Sequence, residues 1–238
     1  MTSEPVWNDL NVFSSSSPAA TTTKSERTRA LIRDVALRSF RERGYDATTI
    51  RLIADEAGVS VGTTNYHFAS KNHLVQELYL DVQERHRDAA QPELATSTDL
   101  IQRLGSVYRT GLEQLAPYHP HAPEFLSAAV SPRSPINPLS PESAPALEIV
   151  EGLFREAVDG SSHKLPADLA GALPKAFVLG HLLLALFWVY DRSPGQRRTQ
   201  TLLDGGLKLL KSALPLARVP VLRAPLSELL DLVGEVRA

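Results

Sequence analysis

An all-α fold is predicted for this 238-residue chain, and three observations predict it. Apolar residues recur at three- and four-residue spacing along most of its length, and no stretch alternates apolar with polar as a half-buried strand would. Capping Ser and Thr, and helix-ending Gly, punctuate those stretches. Basic charge is also confined to one segment. Residues 24–73 carry nine Lys/Arg against six Asp/Glu, whereas the segments on either side are net acidic and the formal total is −2. The expected architecture is a small basic N-terminal head of three helices followed by a larger C-terminal helical body.

Taken in order, residues 1–23 are Ser/Thr-rich, with Trp7 and Phe13 isolated among polar residues, and read as a disordered tail without a secretory signal. Residues 24–72 form the head. Ser25 to Gly44 is an amphipathic helix with Ile32, Ala36, Leu37 and Phe40 on one face, and Gly44 stops it. Thr48 or Thr49 caps a second helix, Ile50 to Ala57, which Gly58 ends. Ser60 caps a third, from Val61 to about Phe68. The body, residues 73–238, starts within a longer helix that Ser70 caps and that runs through Leu74, Leu78 and Val82, changing character after Gln91-Pro92.

Leu100 to Ala116 is helical by pattern. Pro117, Pro120 and Pro123 are expected to break it before a short helix from Pro123 to Val130. In the next segment, SPRSPINPLSPESAP, Pro132, Pro135, Pro138 and Pro141 recur every third residue, which predicts an extended polyproline-like connector over 131–145. Helices follow over Ala146 to Val158, Leu165 to Tyr190 and Gly195 to Leu214, with a last one over Pro225 to Val236. The longest apolar run, Ala176 to Tyr190, falls short of the roughly 20 residues a bilayer requires and reads as a buried helix, so no membrane partner is expected.

Composition narrows the function classes. There is no cysteine, which excludes disulfides and thiolate metal sites and fits a cytoplasmic protein. His119-Pro-His121 is too constrained for a ligand pair, and no nucleophile elbow, phosphate loop or metalloprotease signature appears. Neither catalytic residues nor a metal or cofactor is predicted.

The chemistry concentrates in TTIRLIADEAGVSVGTTNYHFASKNHL, Thr48 to Leu74. Small Ala54 lets two helices cross closely and Gly58 turns the chain with positive φ. Ile53, Ala57, Val59 and Phe68 hold the pair rigid against Phe40. This is a helix-turn-helix. Its second helix points Val61, Thr63, Asn65 and Tyr66 outward, where an amide can read adenine, Val can touch a thymine methyl and hydroxyls can bond phosphate. Arg51 is placed for a guanine edge or a phosphate. Lys71, one residue beyond Ser70, can clamp a phosphate together with free backbone amides. Thr49, Ser60 and His67 complete the candidate DNA-binding set.

Residues 25–74 resemble the DNA-binding head of the TetR (tetracycline-repressor-type) family of transcriptional regulators. The resemblance rests on Phe40-x-x-x-Gly44-Tyr45, Thr48-Thr49-Ile50-x-x-Ile53-Ala54, Ala57-Gly58-Val59-Ser60, Gly62-Thr63, Tyr66-His67-Phe68 and Ser70-Lys71. Thr64 and Asn65 depart from it. Thr64 replaces a bulky aliphatic residue and is expected to weaken the packing of the reader helix. Asn65 replaces an aromatic residue and should alter base preference.

The resemblance further implies a homodimer, paired through the helices Leu165 to Tyr190 and Gly195 to Leu214, on a palindromic operator. It also implies a pocket for a small apolar or amphipathic effector that releases the DNA. Tyr108, Phe125, Phe154, Phe177, His181 and Trp188 are the candidate pocket residues, and the 131–145 connector is a candidate lid. Two other readings stay open: a DNA-binding regulator without an effector, and a small-molecule-binding protein with a vestigial head.

Overall fold

In the computed structural model, residues 23–215 are described. The tail before them and the helix expected over Pro225 to Val236 lie outside those residues. Among the described residues there are nine α-helices, three short 3-10 turns and no strand. The head comprises α1 (Lys24–Ala47), α2 (Ile50–Ala57) and α3 (Val61–His67). A long α4 (Lys71–Leu94) leads into the body of α5 (Leu100–Leu115), α6 (Ala122–Ala129), α7 (Ala144–Asp159), α8 (Ala167–Tyr190) and α9 (Arg197–Ala213).

The helix boundaries have local causes. The Thr23 hydroxyl accepts from the Glu26 amide while the Glu26 carboxylate takes the Thr23 amide, a capping box that starts α1. Gly44 breaks the helical path with φ 81° and ψ −174°, a region open to glycine alone. Of the two candidate threonines, Thr49 caps α2 through the Leu52 amide at 3.1 Å. Thr48 is buried instead, donating to the Gly44 carbonyl at 2.7 Å and pairing with the Ser39 hydroxyl at 2.9 Å. Gly58 ends α2 in the left-handed region at φ 65°. Pro92 does not end α4. It falls in the last turns, where a missing N–H removes one hydrogen bond, and the helix continues to Leu94.

Two apolar cores form. The head core centres on Ile32, Phe40, Ile53, Phe68 and Leu74, and continues along α4 through Leu78 and Val82 to Tyr118, Ala129 and Ile136. The body core gathers Leu104, Tyr108, Phe154, Phe177 and Trp188. The buried Arg103 guanidinium donates to the backbone carbonyls of Leu94, Ser97, Glu156 and Ala157, so it ties the ends of α4 and α7 to α5.

One proline expectation holds and one is corrected. The helix breaks at Pro117 as expected: α5 ends at Leu115, and residues Ala116–His121 form a 3-10 turn that passes directly into the short α6. The segment after α6 is not extended polyproline. The amides of Ser134, Asn137, Ser140 and Ser143 each donate to the carbonyl three residues back, at 2.9–3.0 Å, giving a run of consecutive tight turns. Every proline occupies the second position of a turn, where its fixed φ fits. The preceding Ser131, Ser134 and Asn137 each accept from the amide two residues on. Ser/Asn before each proline therefore decides between a turn and an extended run.

α8 has 24 residues and is long and apolar enough to cross a bilayer by length and composition, a test that core helices also pass. One third of its most apolar window is buried, and it packs on α7, α6 and α9.

Candidate nucleic-acid interface and apolar cavity

α3 is held from below and left open above. Phe68 and Thr64 are buried beneath it, while Val61, Asn65 and Tyr66 are exposed, Tyr66 by 82%. Ser60 caps the helix through the Thr63 amide at 3.0 Å and also pairs with the Thr63 hydroxyl at 2.9 Å. Thr49 and Arg51 are exposed at the start of α2, and half-buried His67 stands edge-on to Tyr66 at 5.1 Å. Apart from Phe68 and Thr64, all of these residues are exposed or half-buried on the head's surface. Thr64 is fully buried rather than a loose spot on the surface, and its hydroxyl returns to the Ser60 carbonyl at 3.2 Å. The hydroxyl is satisfied, so the cost relative to an aliphatic residue is lost apolar volume alone.

Lys71 is turned inward. Its ammonium donates to the Tyr45 carbonyl at 2.9 Å and lies 3.7 Å from the centre of the Tyr45 ring. Burial holds its pKa below the ordinary lysine value, opposed by the charges of Asp46 and Glu124. A phosphate contact would require this side chain to leave Tyr45 and swing out. Arg29 also belongs to the head's packing, lying over Phe68 at 4.6 Å and pairing with Glu77 of α4.

The body holds a half-open cavity of about 510 Å³ between α4, α6, α7, α8 and the turn run. Phe125, His181 and Trp188 stand on its wall as candidate residues. Tyr108, Phe154 and Phe177 do not, which corrects that part of the set. Their rings pack on one another behind the wall, with centroids 4.8 Å apart for Tyr108–Phe154 and 5.7 Å for Phe154–Phe177, and the Tyr108 hydroxyl donates to the Phe177 carbonyl. Large aromatic residues at helical spacing served the core here. Leu78, Val82 and Leu126 line the cavity, as do Pro138 and Leu139 from the turn run, so the connector forms part of the wall. It is fixed there by Gln76 donating to the Pro135 carbonyl and Tyr79 donating to the Ile136 carbonyl, at 2.6 and 3.0 Å.

His86 was missing from the expected set. It is fully buried and stacks on His181 with centroids 5.7 Å apart. Its Nε2 donates to the Val107 carbonyl at 2.8 Å, and its Nδ1 lies 3.0 Å from Oε1 of Gln83, a pairing that a neutral ring makes only with the Gln83 side-chain amide turned to present its NH2. The signal was legible: Leu78, Val82, His86, Ala90 and Leu94 repeat every fourth residue along the buried face of α4. Burial pushes the pKa of His86 down, and burial together with His86 pushes that of His181 down to about 3. Both imidazoles are therefore neutral at ordinary pH. Among the described residues no three His, Asp or Glu side chains converge in a way that could hold a metal ion.

One side chain belongs to both regions. Phe125 of α6 lines the cavity, and its ring meets Phe40 and Tyr45 of the head edge-on, each at 5.7 Å. Beside it, the Glu124 carboxylate accepts from the Asp46 amide at 3.2 Å and pairs with His121 at 3.1 Å. The contacts from α6 to the head thus run to the end of α1, just below α2.

Known proteins match both halves. Residues 32–78 match the description "Bacterial regulatory proteins, tetR family", and residues 103–236 match "Tetracyclin repressor-like, C-terminal domain". The HTH-type transcriptional repressor KstR2 of Mycobacterium tuberculosis is 35% identical over 95 residues, which span 38% of this chain and 46% of that protein. The HTH-type transcriptional regulator TtgR of Pseudomonas putida is 36% identical over 90 residues, 38% of this chain and 42% of the relative. The matches thus span less than half the length of these curated relatives. Among solved structures, a tetR-family regulator from Streptomyces coelicolor superposes with a TM-score of 0.58 at 20% identity, covering 86% of this chain and 88% of that one. A second, from Syntrophomonas wolfei, gives 0.57 at 17% identity, covering 79% and 96%. The family models account for the head and for more than half of the chain in the body, and the chain belongs to the TetR family of bacterial regulatory proteins.

Proposed function

We propose that this protein is a dimeric, cytoplasmic, DNA-binding transcriptional repressor whose hold on a palindromic operator is released by a small apolar effector. The observation that carries the reading is Phe125, one ring shared by the cavity wall and the base of the head. A ligand that displaces it must also shift α1 against α6, and with α1 the exposed α3. The repressor sense is supported by the name of the KstR2 relative.

Dimerisation is supported by an unpartnered apolar surface. Leu183, Leu186, Phe187 and Tyr190 of α8 and Leu202 and Leu209 of α9 are exposed, Leu209 by 73%. Added Cβ atoms at Gly205 and Gly206 would meet nothing within 4 Å, so a second chain could approach α9 closely there. Pairing across this face would hold two α3 helices about 34–36 Å apart, one turn of DNA. It would also cover the outer face of α8.

Selection of bound duplexes from a random pool tests the reading, and an inverted repeat is the expected outcome. On that sequence, replacing Asn65 and Tyr66 with Ala should weaken binding at least tenfold without lowering thermal stability, because both side chains are exposed. Recovery of no preferred sequence at low salt would count against DNA recognition. By linkage, operator DNA must weaken effector binding by the same factor that effector weakens DNA binding.

A further inference from the structure

Resting on the effector reading above, we infer that the cavity takes an uncharged, largely apolar molecule bearing a hydroxyl group, which hydrogen-bonds to the imidazole of His181. The volume of about 510 Å³ lies within the roughly 300–1,000 Å³ of small-molecule sites. No Lys, Arg, Asp or Glu lines it. An ionised headgroup buried as deep as His181 would lose its water and find no counter-charge, a penalty that a neutral molecule avoids.

The polar side chains of the wall are mostly spent. The Tyr79 hydroxyl donates to the Ile136 carbonyl and the Ser143 hydroxyl to the Asn137 carbonyl, at 3.0 and 2.9 Å. The Asn137 side chain accepts from the Leu139 amide at 2.9 Å, and the Gln83 amide faces His86. Three polar groups of the wall make no hydrogen bond among the described residues: the Tyr118 hydroxyl, the Trp188 indole N–H and the His181 imidazole. His181 is the one set deepest, only 5% exposed and stacked on His86. A buried imidazole without a partner is rare, and a ligand atom supplies what the protein does not.

The placement is built into the packing. An added Cβ at Gly111 would lie 2.9 Å from Cε1 of His181 and 3.0 Å from Cε1 of His86, so the absence of a side chain there makes room for the stacked pair. With a pKa near 3, His181 presents one donor and one acceptor nitrogen at neutral pH. A hydroxyl can answer either, whichever tautomer is present. A carboxylate can answer only the donor.

The test uses the full-length protein at pH 7.5 with 1-decanol, decanoate and decyltrimethylammonium, and with a bicyclic pair, 2-decalol and decalin-2-carboxylate. Binding is read by tryptophan emission, since Trp188 is on the wall, and by thermal shift. The alcohols are expected to bind at least tenfold tighter than the ions of the same frame. His181→Phe should weaken the alcohols about five- to tenfold, the loss of one hydrogen bond, and His181→Gln should restore part of it. Decanoate binding as tightly as decanol overturns the inference without any variant. Unchanged alcohol affinity in a folded His181→Phe protein overturns it as well. If the probes bind irrespective of charge and a cavity-filling Ala185→Trp abolishes that binding, the effector site stands and this inference alone falls. If neither frame binds in any form, both fall.

Discussion

Two glycines with positive φ, Gly44 and Gly58, stand in different surroundings. Gly58 has open space where a Cβ would go, and its φ of 65° is one that Asn tolerates. Gly58→Asn should therefore cost under about 1 kcal/mol. At Gly44 a Cβ would fall 2.3 Å from a Glu124 carboxylate oxygen and 2.6 Å from Nδ1 of His121, on a backbone path that side chains avoid. Gly44→Ala should cost about 2–3 kcal/mol and also loosen the contact of α6 with the head. Urea midpoints of the two variants check the contrast. The histidine pair makes a second prediction at this scale. The folded pKa values of His86 and His181 lie below the ordinary 6.5, so the unfolded chain binds protons that the folded imidazoles refuse. Stability should be full above about pH 7 and fall as pH drops through 6.5, by up to about 1.4 kcal/mol per pH unit for each histidine. His181→Phe should reduce that slope by one proton. Urea unfolding between pH 7 and 5 measures it above the range where the carboxylates titrate; an unchanged slope would contradict burial of a neutral His181.

Among the elements, the turn run from Ser131 to Ser143 is the least expected from a proline repeat and the most consequential for the cavity. Its register is fixed by Ser or Asn before each proline, and its position by Gln76, Tyr79 and the fully buried Ile136. Removing one anchor should release the segment without unfolding the body. Tyr79→Phe is expected to raise amide exchange over residues 131–143 at least severalfold while the global unfolding midpoint moves by less than about 1 kcal/mol, since one neutral hydrogen bond is lost. Exchange confined to its wild-type level would show that Gln76 and Ile136 suffice to hold the wall. In α3, the buried Thr64 shows how a departure from the family pattern is absorbed: its hydroxyl finds the Ser60 carbonyl, and the outer face stays free for Asn65 and Tyr66.

For the whole molecule, the proposed coupling of effector to operator would run through α6, whose Phe125 ring touches both the head and the cavity. Phe125→Ala removes the ring that touches Phe40, Tyr45 and the cavity together, and should leave operator affinity and ligand affinity each within a few-fold while collapsing their mutual effect toward unity. Measuring DNA affinity with and without a bound cavity ligand checks this, and an undiminished ratio would move the coupling to α4, which also joins both cores. The head, most helix boundaries and the outward set on α3 were legible in the sequence, because caps, left-handed glycines and 3.6-residue periodicity act over a few residues. The cavity wall was legible only in part. Phe125, His181 and Trp188 reached it, whereas Tyr108, Phe154 and Phe177 went to the core behind it. An apolar side chain fits either place, and helical spacing says only that it points inward. By itself the sequence determined an all-α chain, its helix-turn-helix head and its family, all set by short-range rules and by motif order. The tertiary structure alone decided that Lys71 turns in to Tyr45, that the prolines stack as turns against α4, and that the His181 imidazole lines a cavity without charged side chains. Each of these depends on which residues distant in the chain arrive at the same place, and local patterning does not encode that.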